Sequence, residues 1–375
     1  MTRPDLRPMK ALPMLEARRD ELEKCVFCPK LSRSACPVSN AEPRETLTPW
    51  GKMSMTYFLA NGDVALEPSF AAPTYGCTGC MKCREHCDHK NDVAGTRYDA
   101  RAEIVAQGIA PTAATRSIAG FADHDARTRD KTRALAAECG ARADSRQAVL
   151  VGCSYVHHAQ AEAKDAVLAA KALVGAVSLA PGCCGLPLKL AGDGPGFVRH
   201  AQRFAEENAT AERMLVVDAG CAMTLRTHYR AAGVTLRPEV ELLVERAARD
   251  LGSLREIGQR GGAPDENVRW HDPCQLGRGL GVYEAPRAVL TRIFGRAPDE
   301  FDTRREQSTC SGAGGLLPQT MPGVAREIAK TRLDEHERNG GGRVITACAS
   351  SLRSFRKQHA RVDDIVTWIA RATQR

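Results

Sequence analysis

Cys77-Thr78-Gly79-Cys80-Met81-Lys82-Cys83-Arg84-Glu85-His86-Cys87 reads C-x2-C-x2-C-x3-C, the spacing with which a short run of backbone wraps an iron-sulfur cubane. Three thiolates two residues apart take three irons of one cluster, and the fourth in such runs commonly reaches a second cluster. Structural zinc is the rival, but it usually takes two C-x2-C pairs separated by a longer stretch. The run therefore predicts electron-transfer chemistry in the first third of the chain.

Working upstream, Cys25, Cys28 and Cys36-Pro37 stand where a partner run would lie, one sulfur short of a full set. The residue placed to complete it is Ser32, giving C-x2-C-x3-S-x3-C-P. A serine alkoxide is a harder, more basic ligand than a thiolate and tends to lower the potential or leave an iron labile. With fourth ligands exchanged between the runs, Cys77, Cys80, Cys83 and Cys36 hold one 4Fe-4S cluster and Cys25, Cys28, Ser32 and Cys87 the other. In the second set either Ser32 ligates, or the site is a three-iron 3Fe-4S centre, or an outside ligand fills the gap.

The remaining cysteines sort by position. The chain has 375 residues, 15 of them cysteine, and a formal charge of +8. Short cysteine clusters favour metal over a disulfide lattice. The Lys and Arg residues are scattered among Asp and Glu without a basic arm, so nucleic-acid binding is not expected. Met1–Lys24 is charged and lacks the apolar core of a secretory signal. No stretch approaches the roughly 20 apolar residues of a membrane span. Cytoplasmic residence is expected, with any contact at the inner membrane face made through a partner.

Beyond Gln147 an α/β alternation begins, whose strands end at cysteines. Ala148–Val151 runs into Gly152-Cys153, Ala176–Leu179 into Gly182-Cys183-Cys184-Gly185, and Met214–Val217 into Gly220-Cys221. Helical composition fills Ala159–Val174 and Phe197–Ala209 between them. The layout returns with strand Val268–His271 before Cys274, helix Ala285–Phe294, Cys310-Ser311-Gly312, helix Gly323–Arg338 and strand Arg343–Thr346 before Cys348. Cys183 to Cys221 and Cys310 to Cys348 are both 38 positions, while the first legs, 30 and 36, differ by six residues. An internal tandem repeat with a loop insertion explains this. Strand ends are where α/β folds place ligands.

The expected fold class is α/β: a mostly helical, ferredoxin-like iron-sulfur domain over residues 1–108, a helical connector over 109–146, and two cysteine-rich repeats over 147–252 and 268–375. Gly252–Asn267 is the expected linker. In the first repeat Cys153, Cys183, Cys184 and Cys221 offer four thiolates. Adjacent cysteines share one tetrahedral ion only with backbone distortion, which Gly182 and Gly185 permit. A further iron-sulfur cluster is thus favoured there, with zinc as the alternative. The second repeat keeps Cys274, Cys310 and Cys348, with Ser311 where Cys184 stood. His271 and Asp272 lie nearby, and the histidine is read as structural.

Together these residues resemble the iron-sulfur subunits related to heterodisulfide reductase, a family that includes the iron-sulfur subunits of glycolate oxidase and anaerobic glycerol-3-phosphate dehydrogenase. The resemblance runs from Cys25 to Cys348 and rests on Pro181-Gly182-Cys183-Cys184-Gly185, Trp270-His271-Asp272-Pro273-Cys274 and Ser311-Gly312-Ala313-Gly314-Gly315. It implies a two-cluster domain joined to two CCG repeats of form C…CCG…C-x2-C. Here the final cysteine of each C-x2-C falls on Thr224 and Ser351, and a CCG cysteine on Ser311. In heterodisulfide reductases these repeats hold noncubane clusters that split a disulfide, which the incomplete sets weaken.

The leading expectation is an electron-transfer subunit that accepts electrons from an FAD-containing dehydrogenase subunit and passes them toward a quinone or other acceptor, with a membrane quinone-reactive subunit as a further partner. Gly277-Arg278-Gly279-Leu280-Gly281 lacks the G-x-G-x-x-G spacing of a dinucleotide site. The alternatives are a thiol-disulfide reductase acting at Cys183 and Cys184, and a zinc-stabilised structural subunit.

Overall fold

The apolar run Ala148, Val149 and Leu150 is wholly buried, as parallel strands covered on both faces require. A computed structural model describes residues 8–29, 32–257, 266–359 and 361–374. In it β1 (Gln147–Leu150), β2 (Ser178–Leu179), β3 (Arg213–Val216) and β4 (Glu239–Leu242) form a parallel sheet of order β2-β1-β3-β4. Then β5 (Val268–Trp270), β6 (Asp299–Glu300), β7 (Arg343–Thr346) and β8 (Val362–Asp364) form a second parallel sheet of order β6-β5-β7-β8. Val149 pairs with Leu179 and Leu215 in one, and Trp270 with Glu300 and Ile345 in the other. The duplication read from cysteine spacing is thus a duplication of topology. A helical N-terminal region precedes it, and the class is α/β.

Three strands, β4, β6 and β8, had no counterpart in the reading of the sequence. β4, Glu-Val-Glu-Leu, and β8, Val-Asp-Asp, carry carboxylates that break the apolar run. Glu241 of β4 is nevertheless buried, paired with Arg249 at 3.0 Å and Arg213 at 3.5 Å. Residues 1–7 of the charged N-terminal stretch and 258–265 of the expected linker lie outside the described residues. Among the described residues no helix is long and apolar enough to cross a membrane.

The chain divides into two units. The first holds residues 8–121 together with Pro187–Gly196 and Cys310–Ala329. Its helices Arg19–Val26, Pro49–Asn61 and Val93–Ala106 enclose Leu22, Met53, Leu59 and Val93. Side chains cap two of them: Thr48 Oγ1 accepts from Gly51 N at 2.9 Å and Asp92 Oδ1 from Gly95 N at 3.0 Å. Buried Arg101 ties the later segments in, donating to the carbonyls of Cys77 (3.2 Å), Leu190 (2.8 Å) and Gly315 (2.8 Å). A Cβ on Gly315 would stand 2.0 Å from Cys77 O, and one on Gly314 2.3 Å from Thr78 O. The paired glycines let this segment lie on the Cys77–Thr78 backbone.

The second unit holds both sheets. Helix Gln160–Val174 packs on helix Ile365–Thr373. Across the same seam the Tyr155 hydroxyl donates to Asp364 Oδ2 at 2.6 Å, and Thr367 Oγ1 to Asp165 Oδ2 at 2.8 Å.

Candidate metal centres

The Cys77 run coils tightly because two of its residues take left-handed backbone, Gly79 at φ 67° and Met81 at φ 61°. Gly79 has no alternative, since a Cβ there would stand 2.0 Å from the Tyr98 hydroxyl oxygen. Cys36 caps the short helix Pro37–Ala41. The result is one cavity lined by Cys36, Cys77, Cys80 and Cys83, with Pro37, Val38, Pro49 and Val93 as apolar wall. Four thiols around one cavity with an apolar wall fit the donor set of a cubane. Lys52, fully buried, also lines it and donates from Nζ to Cys36 Sγ at 3.3 Å. Burial disfavours its charge, but Cys36, Cys77 and Cys83 outweigh that and raise its pKa. Gly79 N donates to Cys77 Sγ at 3.4 Å.

The other N-terminal thiols lie close by. Cys25 belongs to the core of Leu22, Met53 and Val93, against which Cys83 packs, so both thiol sets border one core. Asn91 Nδ2 donates to Cys25 Sγ at 3.1 Å. Burial pushes the Cys25 thiol up to about 11, with Asn91 opposing and Cys87 and Cys28 adding to the rise. Those three cysteines are thus electrostatic neighbours. Ser32 is half-buried at the start of the turn Arg33–Ala35.

In the second unit the first repeat gathers its thiols into a row. Cys183 Sγ donates to Cys153 Sγ at 3.6 Å. Cys184 in turn hydrogen-bonds with Cys183 and Cys221, which hold its pKa well below the usual thiol value. Cys183 and Cys221 are pushed up, Cys183 first by its hydrogen bond with Cys153 and Cys221 first by its hydrogen bond with Cys184. The anticipated backbone distortion is present: Gly182 and Gly185 flank the pair, each at φ 83°. Three bonds hold the loop: Cys183 N to Asp125 Oδ1 at 2.8 Å, the Tyr229 hydroxyl to Cys184 O at 3.0 Å, and His200 Nε2 with Cys183 O at 2.7 Å. Thr224, at the expected final cysteine, donates to Gly220 O at 2.7 Å and touches Cys184.

One residue of this site escaped the sequence reading. His124, on helix Phe121–Glu138, offers a ring nitrogen within 4.8 Å of the sulfurs of Cys153 and Cys183. Its hydrogen bond with Cys153 raises its own pKa. The Cys153 thiol is drawn down to about 7, first by Cys183, then against burial by His124. His124 stands 29 positions before Cys153 with no cysteine pattern around it. The available signal was the pair His124-Asp125 in a polar helix, beside His157-His158 in space: the His124 and His157 rings lie 5.1 Å apart.

The second repeat is built differently. His271 is buried, its pKa well below the ordinary value through burial, and it accepts from Arg332 Nε at 3.4 Å. Asp272 is clamped by Arg287 through two bonds of 2.8 Å and by the Trp270 indole at 2.9 Å. Both are structural. Cys348 is buried and hydrogen-bonded with Ser351, its thiol pushed up to about 12, mainly by burial. Cys274 is half-buried; Cys310 and Ser311 are buried and open a segment of the first unit.

Comparison with known proteins agrees with this division. The 4Fe-4S dicluster domain family matches residues 21–91. The cysteine-rich domain family matches twice, over residues 147–226 and 268–355. The chain is 29% identical to a subunit of the fumarate reductase (CoM/CoB) of Methanothermobacter marburgensis, over 88% of this chain and 66% of that protein's length. It is 26% identical to a subunit of the dihydromethanophenazine:CoB–CoM heterodisulfide reductase of Methanosarcina barkeri, over 94% of both. A shorter match, 31% identical over 24% of this chain and 18% of the relative, is to an iron-sulfur subunit of the Hdr-like menaquinol oxidoreductase of Archaeoglobus fulgidus. Dicluster domain, doubled cysteine-rich domain and relatives converge: the chain carries a 4Fe-4S dicluster domain ahead of two cysteine-rich domains and is similar to subunits of heterodisulfide and fumarate reductases.

Proposed function

We propose that this protein is the electron-transferring subunit of an oxidoreductase complex, receiving electrons from an FAD-bearing dehydrogenase subunit and delivering them toward a quinone or another acceptor. The observation that carries the reading is the single cavity lined by Cys36, Cys77, Cys80 and Cys83. These four would hold one 4Fe-4S cluster, and Cys25, Cys28 and Cys87 with Ser32 the second. Bound there, such clusters supply reversible one-electron chemistry. The chain's own residues set the terms: the apolar wall keeps water from the sulfurs, and the N–H groups of Gly79 and Asn91 stabilise negative charge on them. Relatives named as subunits of fumarate, heterodisulfide and menaquinol oxidoreductases support a role inside a complex.

Lys52 is assigned the largest electrostatic part. A buried ammonium 3.3 Å from Cys36 Sγ favours the more negative, reduced state. Lys52→Met is expected to lower the potential of that cluster by on the order of 100 mV, read by EPR-monitored redox titration, while the second cluster moves less. The function itself is tested on anaerobically purified protein. About eight irons per chain are expected, and Cys36→Ala is expected to remove the same EPR signal as Cys80→Ala. Zinc without iron would overturn the electron-transfer reading; a Cys36→Ala loss that instead matches Cys25→Ala would overturn the exchange of ligands.

A further inference from the structure

Helix Val93–Ala106 buries two arginines one turn apart, Arg97 and Arg101. With Lys52 they place three cations in the interior of the helical unit. Among the described residues none of the three pairs with a carboxylate. Lys52 donates to Cys36 Sγ, Arg97 donates to Lys52 O at 2.6 Å and to Thr56 Oγ1, and Arg101 donates to the carbonyls of Thr74, Cys77, Leu190 and Gly315. Buried charge of one sign is costly without counter-charge. Thiolates and the clusters they would hold supply it.

We propose, on the electron-transfer reading of this chain, that Arg97 is the electrostatic bridge between its two N-terminal clusters, with a charge felt by both and an Nε–H kept for a sulfur acceptor. Its place on the helix puts it between the two thiol sets. One turn earlier Val93 packs in one core with Cys25, and one turn later Arg101 donates to Cys77 O at 3.2 Å. Burial draws the Arg97 pKa down to about 9, and Arg101 adds to the fall, while Cys77 and Cys25 both oppose it. The guanidinium thus feels a thiol from each set. By contrast, the thiols that raise Lys52 against burial, Cys36, Cys77 and Cys83, belong to one set. Arg97 Nε is buried and has no hydrogen-bond partner. Native folds rarely leave such a donor open unless a group outside the chain takes it. A thiolate or the inorganic sulfide of a cluster is an acceptor of that kind, and both positive charge and N–H bonds at sulfur raise a cluster's potential.

EPR-monitored redox titration of the anaerobically purified full chain tests this with two variants of opposite design. Arg97→Gln keeps a donor and removes the charge, whereas Arg97→Lys keeps the charge and removes the planar fork. Arg97→Gln is expected to lower both potentials, so that each cluster's reduced-to-oxidised ratio at its wild-type midpoint falls at least about tenfold, about 59 mV for one electron. Arg97→Lys is expected to move each ratio less than about threefold. In protein carrying isotope-labelled arginine, pulsed EPR of a reduced cluster is expected to show a nitrogen coupling that Arg97→Lys abolishes. A shift confined to one cluster, equal shifts in both variants, or a coupling unchanged by Arg97→Lys would each overturn the bridge. Iron lost from both variants would make Arg97 a folding residue and overturn it too. Iron retained with neither potential moved would overturn the bridge and leave the electron-transfer reading intact, whereas zinc without iron in the wild type would remove that reading itself.

Discussion

The two cysteine-rich domains share a sheet order and part company where their strands end. Beyond β1, β2 and β3 the first places Cys153, Cys183, Cys184 and Cys221, with sulfurs in hydrogen-bonding contact. Beyond β5 the second places Asp272, bound by Arg287, which also grips Glu300 at 2.6 and 2.8 Å. Buried Arg332 lies over the Phe301 ring at 3.6 Å and donates to Thr303 and Glu335, and Arg278 donates to the carbonyls of Glu306 and Ser308. A parallel sheet needs its strand ends held, and the fold accepts either sulfur or guanidinium–carboxylate pairs for that task. What a duplicated domain keeps is the topology; the chemistry at the strand ends is free to diverge.

The most severe way to break that contrast is to remove the clamp of the second domain. Arg287→Ala leaves Asp272, whose side chain is only 4% exposed, without its counter-charge. A loss of about 3–5 kcal/mol is expected in urea denaturation. Removing both partners in Arg287→Met with Asp272→Asn is expected to recover much of it, because no buried charge is then left unpaired. A single-variant loss under about 1 kcal/mol would mean that other contacts hold these strand ends.

The seam between the domains gives the next effect. Asp364 caps the last helix, accepting from Val366 N at 3.1 Å and from Tyr155. Burial raises its pKa to about 7, with those two bonds opposing and Glu162 and Asp218 adding to the rise. Since the folded pKa exceeds the ordinary value of about 3.9, the protonated carboxyl favours folding. That contribution is full below about pH 4, declines as pH rises, and is gone above about pH 7. Asp364→Asn keeps a capping oxygen without the charge. Wild-type stability is expected to fall by on the order of 2–4 kcal/mol more than the variant's between pH 4 and pH 7. Parallel pH profiles would show that the seam does not titrate.

How much of this was legible follows from where the signal lies. β1, β3, β5 and β7 are apolar runs that stop at or near a cysteine, and pattern alone finds them. β4 and β8 carry carboxylates whose partners, such as Arg249 for Glu241, are known only once the chain has folded. Cys36 was readable as a distant companion of the Cys77 run because a cysteine-proline pair is a local word, and it lines the same cavity. His124 was not, because its relation to Cys153 exists only across a helix and a strand. Gly314 and Gly315 read as a worn motif, yet each lies too close to the Cys77–Thr78 backbone for a side chain.

The smallest expected effect returns to the first domain and asks whether its strand ends need outside support at all. Burial pushes the Asp125 carboxyl up, but the Cys183 N–H and the Arg129 guanidinium outweigh it and hold the pKa below the ordinary value. Asp125→Ala strands a buried N–H and is expected to cost about 1–3 kcal/mol. Asp125→Asn keeps an acceptor and loses only the pairings with the more exposed Arg129 and Arg203, so it is expected to cost about 0–1 kcal/mol. The loop carrying Cys183 is also expected to loosen in the alanine variant alone, seen as faster amide exchange at Cys183 and Cys184. Equal losses in both variants would assign the effect to charge, and no loss in either would mean that the thiol row holds itself, as the ion pairs of the second domain do.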